Sequence, residues 1–258
     1  MDSNGENLRN VTNKETYDGT PSWSPDGEYL VITSERSGNP EVLIINLEGE
    51  IIEQITEGGG FSVVPEWSPD GTKILFSSNR TYRRAMEGGE AEILDNMKLW
   101  VHELETGEQT RLTGGLGIDM YGSWSPNGES IVFMTVRDQN PEIYRLDPSR
   151  SEFNITNHEA RDINPSWSPD GLSVVFMSDR DGNMEIYLLT LDEEGELINL
   201  TNHPANDGDP AWSPDGKQLA FTSDRDGNIE IYVMNVDGSG VVRLTNDPAD
   251  DIHPSWQP

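Results

Sequence analysis

Five residues before each of six regularly spaced tryptophans the chain carries Asp18, Ser62, Asp119, Asp162, Asp207 and Asp251. Five carboxylates at one phase can do one of two things. Converging on a common opening, they repel one another unless a cation offsets the charge, and hard oxygen ligands of this kind suit Ca²⁺. Alternatively, each aspartate caps its own loop by accepting backbone N–H bonds, and recurs because the loop recurs. A second acidic set, Asp179, Asp181, Asn183 and Glu185, with its copy Asp224, Asp226, Asn228 and Glu230, starts like a calcium loop. Its glycine follows the second aspartate and the terminal bidentate glutamate is missing, so hairpin chemistry accounts for it.

Arginine also keeps a phase. Arg36, Arg80, Arg137, Arg180 and Arg225 each stand thirteen residues after a tryptophan. A guanidinium retained at one position of so acidic a chain is expected to have a structural partner, a carboxylate in the same or the next unit. Residues that break the pattern are better candidates for binding. They gather in the second unit: Tyr82, Arg83, Arg84 and Met86 in an insertion opened by Arg80, which itself keeps the repeat phase, then Trp100 and His102 in the strand after it and Met120 and Tyr121 before Trp124. Arg and Tyr are enriched at interface hot spots, so Arg80, Tyr82, Arg83, Arg84, Trp100 and Tyr121 form a candidate patch for a protein or peptide; the opposing reading is a solvated loop. The four histidines assemble no triad, and no metalloprotease helix, nucleophile elbow, P-loop or dinucleotide fingerprint is present.

The elements that must position these residues follow from an internal repeat. Trp23, Trp67, Trp124, Trp167, Trp212 and Trp256 recur at gaps of 44, 57, 43, 45 and 44 residues, each in Pro-x-Trp or a near variant. Five are followed by Ser-Pro-Asp-Gly or Ser-Pro-Asn-Gly, a turn in which Pro presets φ, Asp bonds the backbone and Gly takes positive φ. Three more β-rich runs follow, the second and third joined by turns such as Ser-Asp-Arg-Asp-Gly-Asn, the fourth ending in Leu-Thr or Ile-Thr. Four short antiparallel strands per unit predict an all-β fold, a β-propeller of four-stranded blades occupying residues 1–258 as a single domain. Stacking around an axis buries blade faces that one unit cannot cover, and places the aspartate position near the axial opening, where the Ca²⁺ reading would apply. The longer second unit has an insertion at 81–96, expected to be a surface loop.

The ends suggest more. Leu8–Thr12 resembles a fourth strand and Pro254-Ser255-Trp256 a first strand, which predicts five complete repeats plus a split or truncated sixth blade, against a rival closed ring of five.

Pro-x-Trp-Ser-Pro-Asp-Gly, Ser-Asp-Arg-Asp-Gly, Glu-Ile-Tyr and Leu-Thr together resemble the repeats of TolB-like β-propellers, across nearly the whole chain. The resemblance implies a non-catalytic protein-binding or scaffolding module, periplasmic or extracellular, that engages envelope lipoproteins. Related repeats also form the substrate-gating propellers of prolyl-oligopeptidase-type serine peptidases, whose catalytic domain is absent here, and an axial lyase or hydrolase is a third possibility.

Composition bounds the rest. Seventeen basic residues against 47 acidic give a formal charge of −30, which repels nucleic acid and anionic membranes and favours cations and basic protein patches. No cysteine is present, which removes disulfides, thiolate zinc sites and thiol catalysis. No apolar run is long enough to span a bilayer, and the first residues show no signal-peptide pattern. Oligomeric state is not legible.

Overall fold

The computed structural model describes residues 1–80, 82–85, 91–94 and 96–258, without side chains at 82–85 and 91–94. Blade 1 comprises β1 (Asp18–Trp23), β2 (Tyr29–Ser34), β3 (Glu41–Asn46) and β4 (Ile51–Gln54). Blade 2 comprises β5 (Ser62–Trp67), β6 (Lys73–Ser78), β9 (Lys98–Glu103) and β10 (Gln109–Arg111), and between β6 and β9 lies a ribbon of β7 (Tyr82–Ala85) and β8 (Ala91–Leu94). Blade 3 comprises β11 (Asp119–Trp124), β12 (Ile131–Thr135), β13 (Glu142–Leu146) and β14 (Glu152–Asn154). Blade 4 comprises β15 (Asp162–Trp167), β16 (Ser173–Ser178), β17 (Glu185–Thr190) and β18 (Leu197–Asn199), and blade 5 comprises β19 (Asp207–Trp212), β20 (Gln218–Ser223), β21 (Glu230–Asn235) and β22 (Val242–Arg243). Each blade is an antiparallel meander.

Two corrections follow. The structure has five four-stranded sheets, and the expected split sixth blade is not formed: neither Leu8–Thr12 nor the segment after β22 makes a strand. The tail nevertheless keeps the habits of an inner segment. His253 has the same left-handed φ as its repeat equivalents, and the Trp256 indole donates to Ala211 O at 3.1 Å, as Trp212 does to Ser166 O at 3.3 Å. Strand order fails here because a lone inner segment has no second strand to pair with. The insertion is also more than a loop, since β7 and β8 pair with each other.

The fixed tryptophan is explained by packing. Each of four tryptophans sits in the apolar core between its own blade and the one before it. Trp67 joins Val31, Val42, Ile74 and Phe76; Trp124 joins Leu75, Leu99, Ile131 and Phe133; Trp167 joins Val132, Ile143, Val174 and Phe176; Trp212 joins Val175, Ile186, Leu219 and Phe221. Trp23 packs with Leu30, Ile32 and Val11 on the outward face of blade 1. Burying such side chains contributes roughly 1.5–3 kcal/mol each.

The recurring Leu-Thr has a hydrogen-bonding cause. The Thr56, Thr113, Thr156, Thr201 and Thr245 hydroxyls accept from the N–H of the second residue of the blade's third strand, continuing the ladder where the fourth strand stops. In four blades the threonine also donates to the buried glutamate that opens that third strand, Glu41, Glu142, Glu185 or Glu230.

Candidate functional site

Alternation of antiparallel strands places the loops between second and third strands, and those leading into each inner strand, at one end of the propeller, here the front. The Ser-Pro-Asp-Gly turns lie at the back. There each serine hydroxyl donates to the turn's own Asp or Asn (2.6–2.9 Å), leaving little free hydrogen-bonding capacity.

The inner strands carry a six-fold irregularity. Pairing with the second strand shifts in every blade between the fourth and first residues before tryptophan. The bulged residue is left-handed each time: Thr20 (φ 47°), Val64 (52°), Tyr121 (55°), Asn164 (51°), Asp209 (47°) and, in the tail, His253 (54°). Such φ is costly for β-branched residues and is sustained only because neighbouring structure enforces it. The bulge turns these six side chains out of the ladder and onto an axial tunnel of about 350 Å³ that all six line. Trp repeats in all six copies and the following Pro in all but blade 3, which has Gly122; the bulged residue differs in every copy.

Within the ring, Asp209 is the hub. Its Oδ1 accepts from Asn164 Nδ2 at 2.8 Å, and its Oδ2 stands 3.4 Å from His253 Nδ1. Burial, then the Asp209 charge, raises the Tyr121 phenol above its usual range. Tyr17, in the front loop, is raised by burial and then by the charges of Glu35 and Asp209. On the opposite arc Thr20 shares a hydroxyl bond of 2.7 Å with Thr33, which also accepts from Val64 N–H at 3.0 Å. Glu66 borders the same tunnel, and burial pushes its carboxyl up to about 8 against bonds from Trp124 N–H and the Ser123 hydroxyl.

The predicted aspartate set is not a convergent ring. Asp119, Asp162 and Asp207 open their inner strands buried and Asp18 half-buried, and each accepts from its own blade's arginine: Arg137 (3.2 Å), Arg180 (2.9 and 3.0 Å), Arg225 (2.8 Å) and Arg36 (2.8 Å). The partner expected for the arginines and the role of the aspartates are therefore one ion pair, repeated. Each guanidinium of Arg137, Arg180 and Arg225 also lies over the blade's Phe and Tyr rings at 4.7–5.7 Å. Among the described residues Asp251 pairs with no arginine; burial and the nearby Glu230 and Asp247 charges raise its carboxyl. Among the described residues no group of three or more His, Asp or Glu is placed to hold a metal ion. The sequence shows both charges at fixed phases eighteen residues apart in each of these blades; that the two face one another appears only in the fold.

The candidate patch is divided by the structure. Trp100 is buried in the core between blades 1 and 2, so it is no surface binding residue. Arg80 belongs to the structural arginine series: with Ser62 in place of aspartate, it donates to the Gln109 carboxamide and to Ser62 Oγ, over Phe76 and Trp100. Tyr121 is on the tunnel wall. Tyr82, Arg83 and Arg84 lie on β7, where the strand is described and the side chains are not. Thr20, Val64, Asn164, Asp209, His253 and Glu66 were not singled out from sequence. A signal was available: the position just before Pro-x-Trp holds a different residue in every copy, and Glu66 stands where the other copies have Ser or Ala.

The front is distinguished by exposed apolar residues on three adjoining blades. Tyr17, Phe61 and Ile118 occupy one repeat phase with Leu116 beside them, while blades 4 and 5 place Arg161 and Asn206 at that phase.

Comparison with known proteins agrees with this architecture. The family model of the TolB beta propeller domain matches residues 2–94 and 149–258. The Tol-Pal system protein TolB of Bordetella pertussis is 38% identical over 45 residues, 17% of this chain and 10% of that protein. The crystal structure of TolB from Acinetobacter baumannii superposes with a TM-score of 0.82 at 25% identity, covering 99% of this chain and 61% of that one. A putative TolB from Agrobacterium tumefaciens gives 0.76 at 28% identity, covering 92% and 83%. The chain thus spans a tenth of the curated relative and about three fifths of the Acinetobacter protein. With the repeat, the blades and the family match in agreement, this chain belongs to the TolB β-propeller family.

Proposed function

We propose that the chain is a non-catalytic, exported binding module of a Tol-Pal-type envelope system, which docks a protein or peptide partner on its front, over the axial tunnel. The observation that carries this reading is where the repeat varies. The Ser-Pro-Asp-Gly turns at the back repeat and bond themselves, whereas the loops leading into the inner strands and the tunnel ring differ from blade to blade, and those loops expose Tyr17, Phe61, Leu116 and Ile118. Exposed apolar groups on variable loops held by a rigid scaffold support a docking site. The periplasmic setting and the envelope-lipoprotein partner are those that the resemblance to TolB-like repeats implies, and the designation of relatives as Tol-Pal system proteins is consistent with them.

The hydrolytic alternatives draw less support. An oligogalacturonate lyase and a puromycin-hydrolysing peptidase, 17% and 16% identical, share the fold alone. Among the described residues no serine hydroxyl bonds a histidine ring, the arrangement nucleophilic catalysis requires.

The test is calorimetric titration of the chain with the soluble domain of the envelope lipoprotein from the same organism. Wild type is expected to bind. Tyr17→Ala with Phe61→Ala on the front is expected to weaken binding at least tenfold, and Leu172→Ala at the back to leave it unchanged. Absence of binding by the wild type, or equal loss from both ends, overturns the reading.

A further inference from the structure

One charge in the tunnel is not explained by the repeat. The residue immediately before tryptophan is Ser22, Ser123, Ser166, Ala211 and Ser255 in five inner segments, and Glu66 in the remaining one. Glu66 is half-buried on the tunnel wall. Its Oε1 accepts from Trp124 N–H at 3.3 Å and from the Ser123 hydroxyl at 3.4 Å, both long for a carboxylate. Among the described residues its Oε2 accepts no hydrogen bond, which leaves that oxygen to the tunnel. The neighbouring strands bring no charge to it: β1 offers Ser22, β6 Leu75 and β11 Ser123 and Trp124. The other titratable groups on the tunnel wall are Asp209, His253 and Tyr121, and no Lys or Arg lines it. Asp209 has Asn164 and His253 beside it, whereas among the described residues Glu66 has no cationic partner.

Resting on the reading of the tunnel as part of the partner site, we infer that it admits a basic side chain of the partner, the guanidinium of an arginine or the ammonium of a lysine, with Glu66 as the counter-ion and Asp209 as a second acceptor on the wall. A guanidinium supplies up to five donors to oxygens that the protein leaves under-bonded. The formal charge of −30 draws such a group towards the opening. The exchange balances: the Glu66 carboxylic acid gives its proton to solvent, and the resulting carboxylate accepts the N–H donors of the incoming cation.

The probe is n-butylguanidinium chloride against its uncharged analogue n-butylurea, at constant ionic strength, added to the whole chain and followed by the indole N–H signals in nitrogen-15 NMR. Butylguanidinium is expected to shift the Trp67 and Trp124 signals saturably, and butylurea to leave them in place. With the Glu66 carboxyl at about 8, the ionised fraction, and with it the apparent affinity, rises about tenfold between about pH 7 and about pH 9. Glu66→Gln, an uncharged isostere whose fold is checked by its melting curve, is expected to bind at least tenfold more weakly and without that pH dependence. Equal shifts from butylurea, wild-type affinity in Glu66→Gln, or affinity independent of pH would each overturn the inference. If the lipoprotein titration succeeds while this one fails, the docking face stands and only the cation claim falls; failure of the lipoprotein titration removes the docking reading itself.

Discussion

The repeated Asp–Arg pair is best tested at Asp162, where burial is complete. Asp162 is fully buried and Arg180 is 12% exposed; the guanidinium reaches both carboxylate oxygens, at 2.9 and 3.0 Å. Burial raises the Asp162 carboxyl, opposed by bonds from Ser178 and Arg180. Asp162→Asn keeps the shape and removes the charge, leaving Arg180 over Phe176 and Tyr187 without its anion. Breaking one side of a buried pair costs about 3–5 kcal/mol. For a domain of this size that is a fall in Tm of roughly 6–20 °C. Double substitution with Arg180→Met is expected to recover part of the loss, because neither charge is then stranded. Calorimetric scans of the three proteins, each with Ca²⁺ and with EDTA, separate the ion-pair account from the cation account. The ion pair predicts the same loss in both media. A loss below about 1 kcal/mol, or one that disappears in EDTA, refutes the reasoning. Asp251→Asn is the internal control: with no arginine paired to it among the described residues, and with burial and two acidic neighbours raising its carboxyl, it is expected to hold or slightly raise Tm near neutral pH.

Three further outcomes follow from single positions. A carboxyl raised in the folded state is protonated there while ionised in the unfolded chain, so Glu66 costs wild type roughly 1.4 kcal/mol per pH unit as pH rises from the unfolded value near 4.5 towards 8. Glu66→Gln therefore gains on wild type across that window and the difference levels off above it, as denaturant titrations at several pH values would show; a difference constant with pH contradicts it. Gly122→Ala is expected to cost about 1–3 kcal/mol by chemical denaturation, because a Cβ there meets Leu75 Cδ2 at 2.7 Å and Leu99 Cδ2 at 3.2 Å, and both leucines are buried; a neutral result would mean the core yields. Lys98 stands where the other blades have glutamate, fully buried, with its Nζ 2.8 Å from Asp119 Oδ2. Lys98→Glu, although it restores the repeat, should lower Tm more than Lys98→Gln, since it sets two buried carboxylates against each other; the reverse order would show that Asp119 relies on Arg137 alone.

The fold was legible because its cues are local and recur. Trp, Ser-Pro-Asp-Gly and Leu-Thr each act within a blade or on its neighbour, and all five units form the four antiparallel strands that the pattern implies. The ends were misread because a strand exists only when a second one pairs with it, and pairing is not written in either end segment. The site was legible only in part. Asp18, Asp119, Asp162 and Asp207 were noticed for their charge, but whether a repeated acid serves a metal or an arginine depends on what the fold sets against it. Arg80 and Trp100 looked exceptional because they adjoin the insertion, yet strand phase sends both inward. Thr20, Val64, Asn164, Asp209 and His253 have no common chemistry; what unites them is a left-handed bulge that appears only in the backbone.

The central claim, that the front and tunnel rather than the back engage a partner, is tested most directly by hydrogen–deuterium exchange of the chain alone and in complex with the envelope lipoprotein domain. The account predicts slowed exchange in the loops carrying Tyr17, Phe61, Leu116 and Ile118 and in the bulged residues from Thr20 to His253, with the Ser-Pro-Asp-Gly turns unchanged. Protection confined to those turns, or spread along the exposed outer strands, would contradict it.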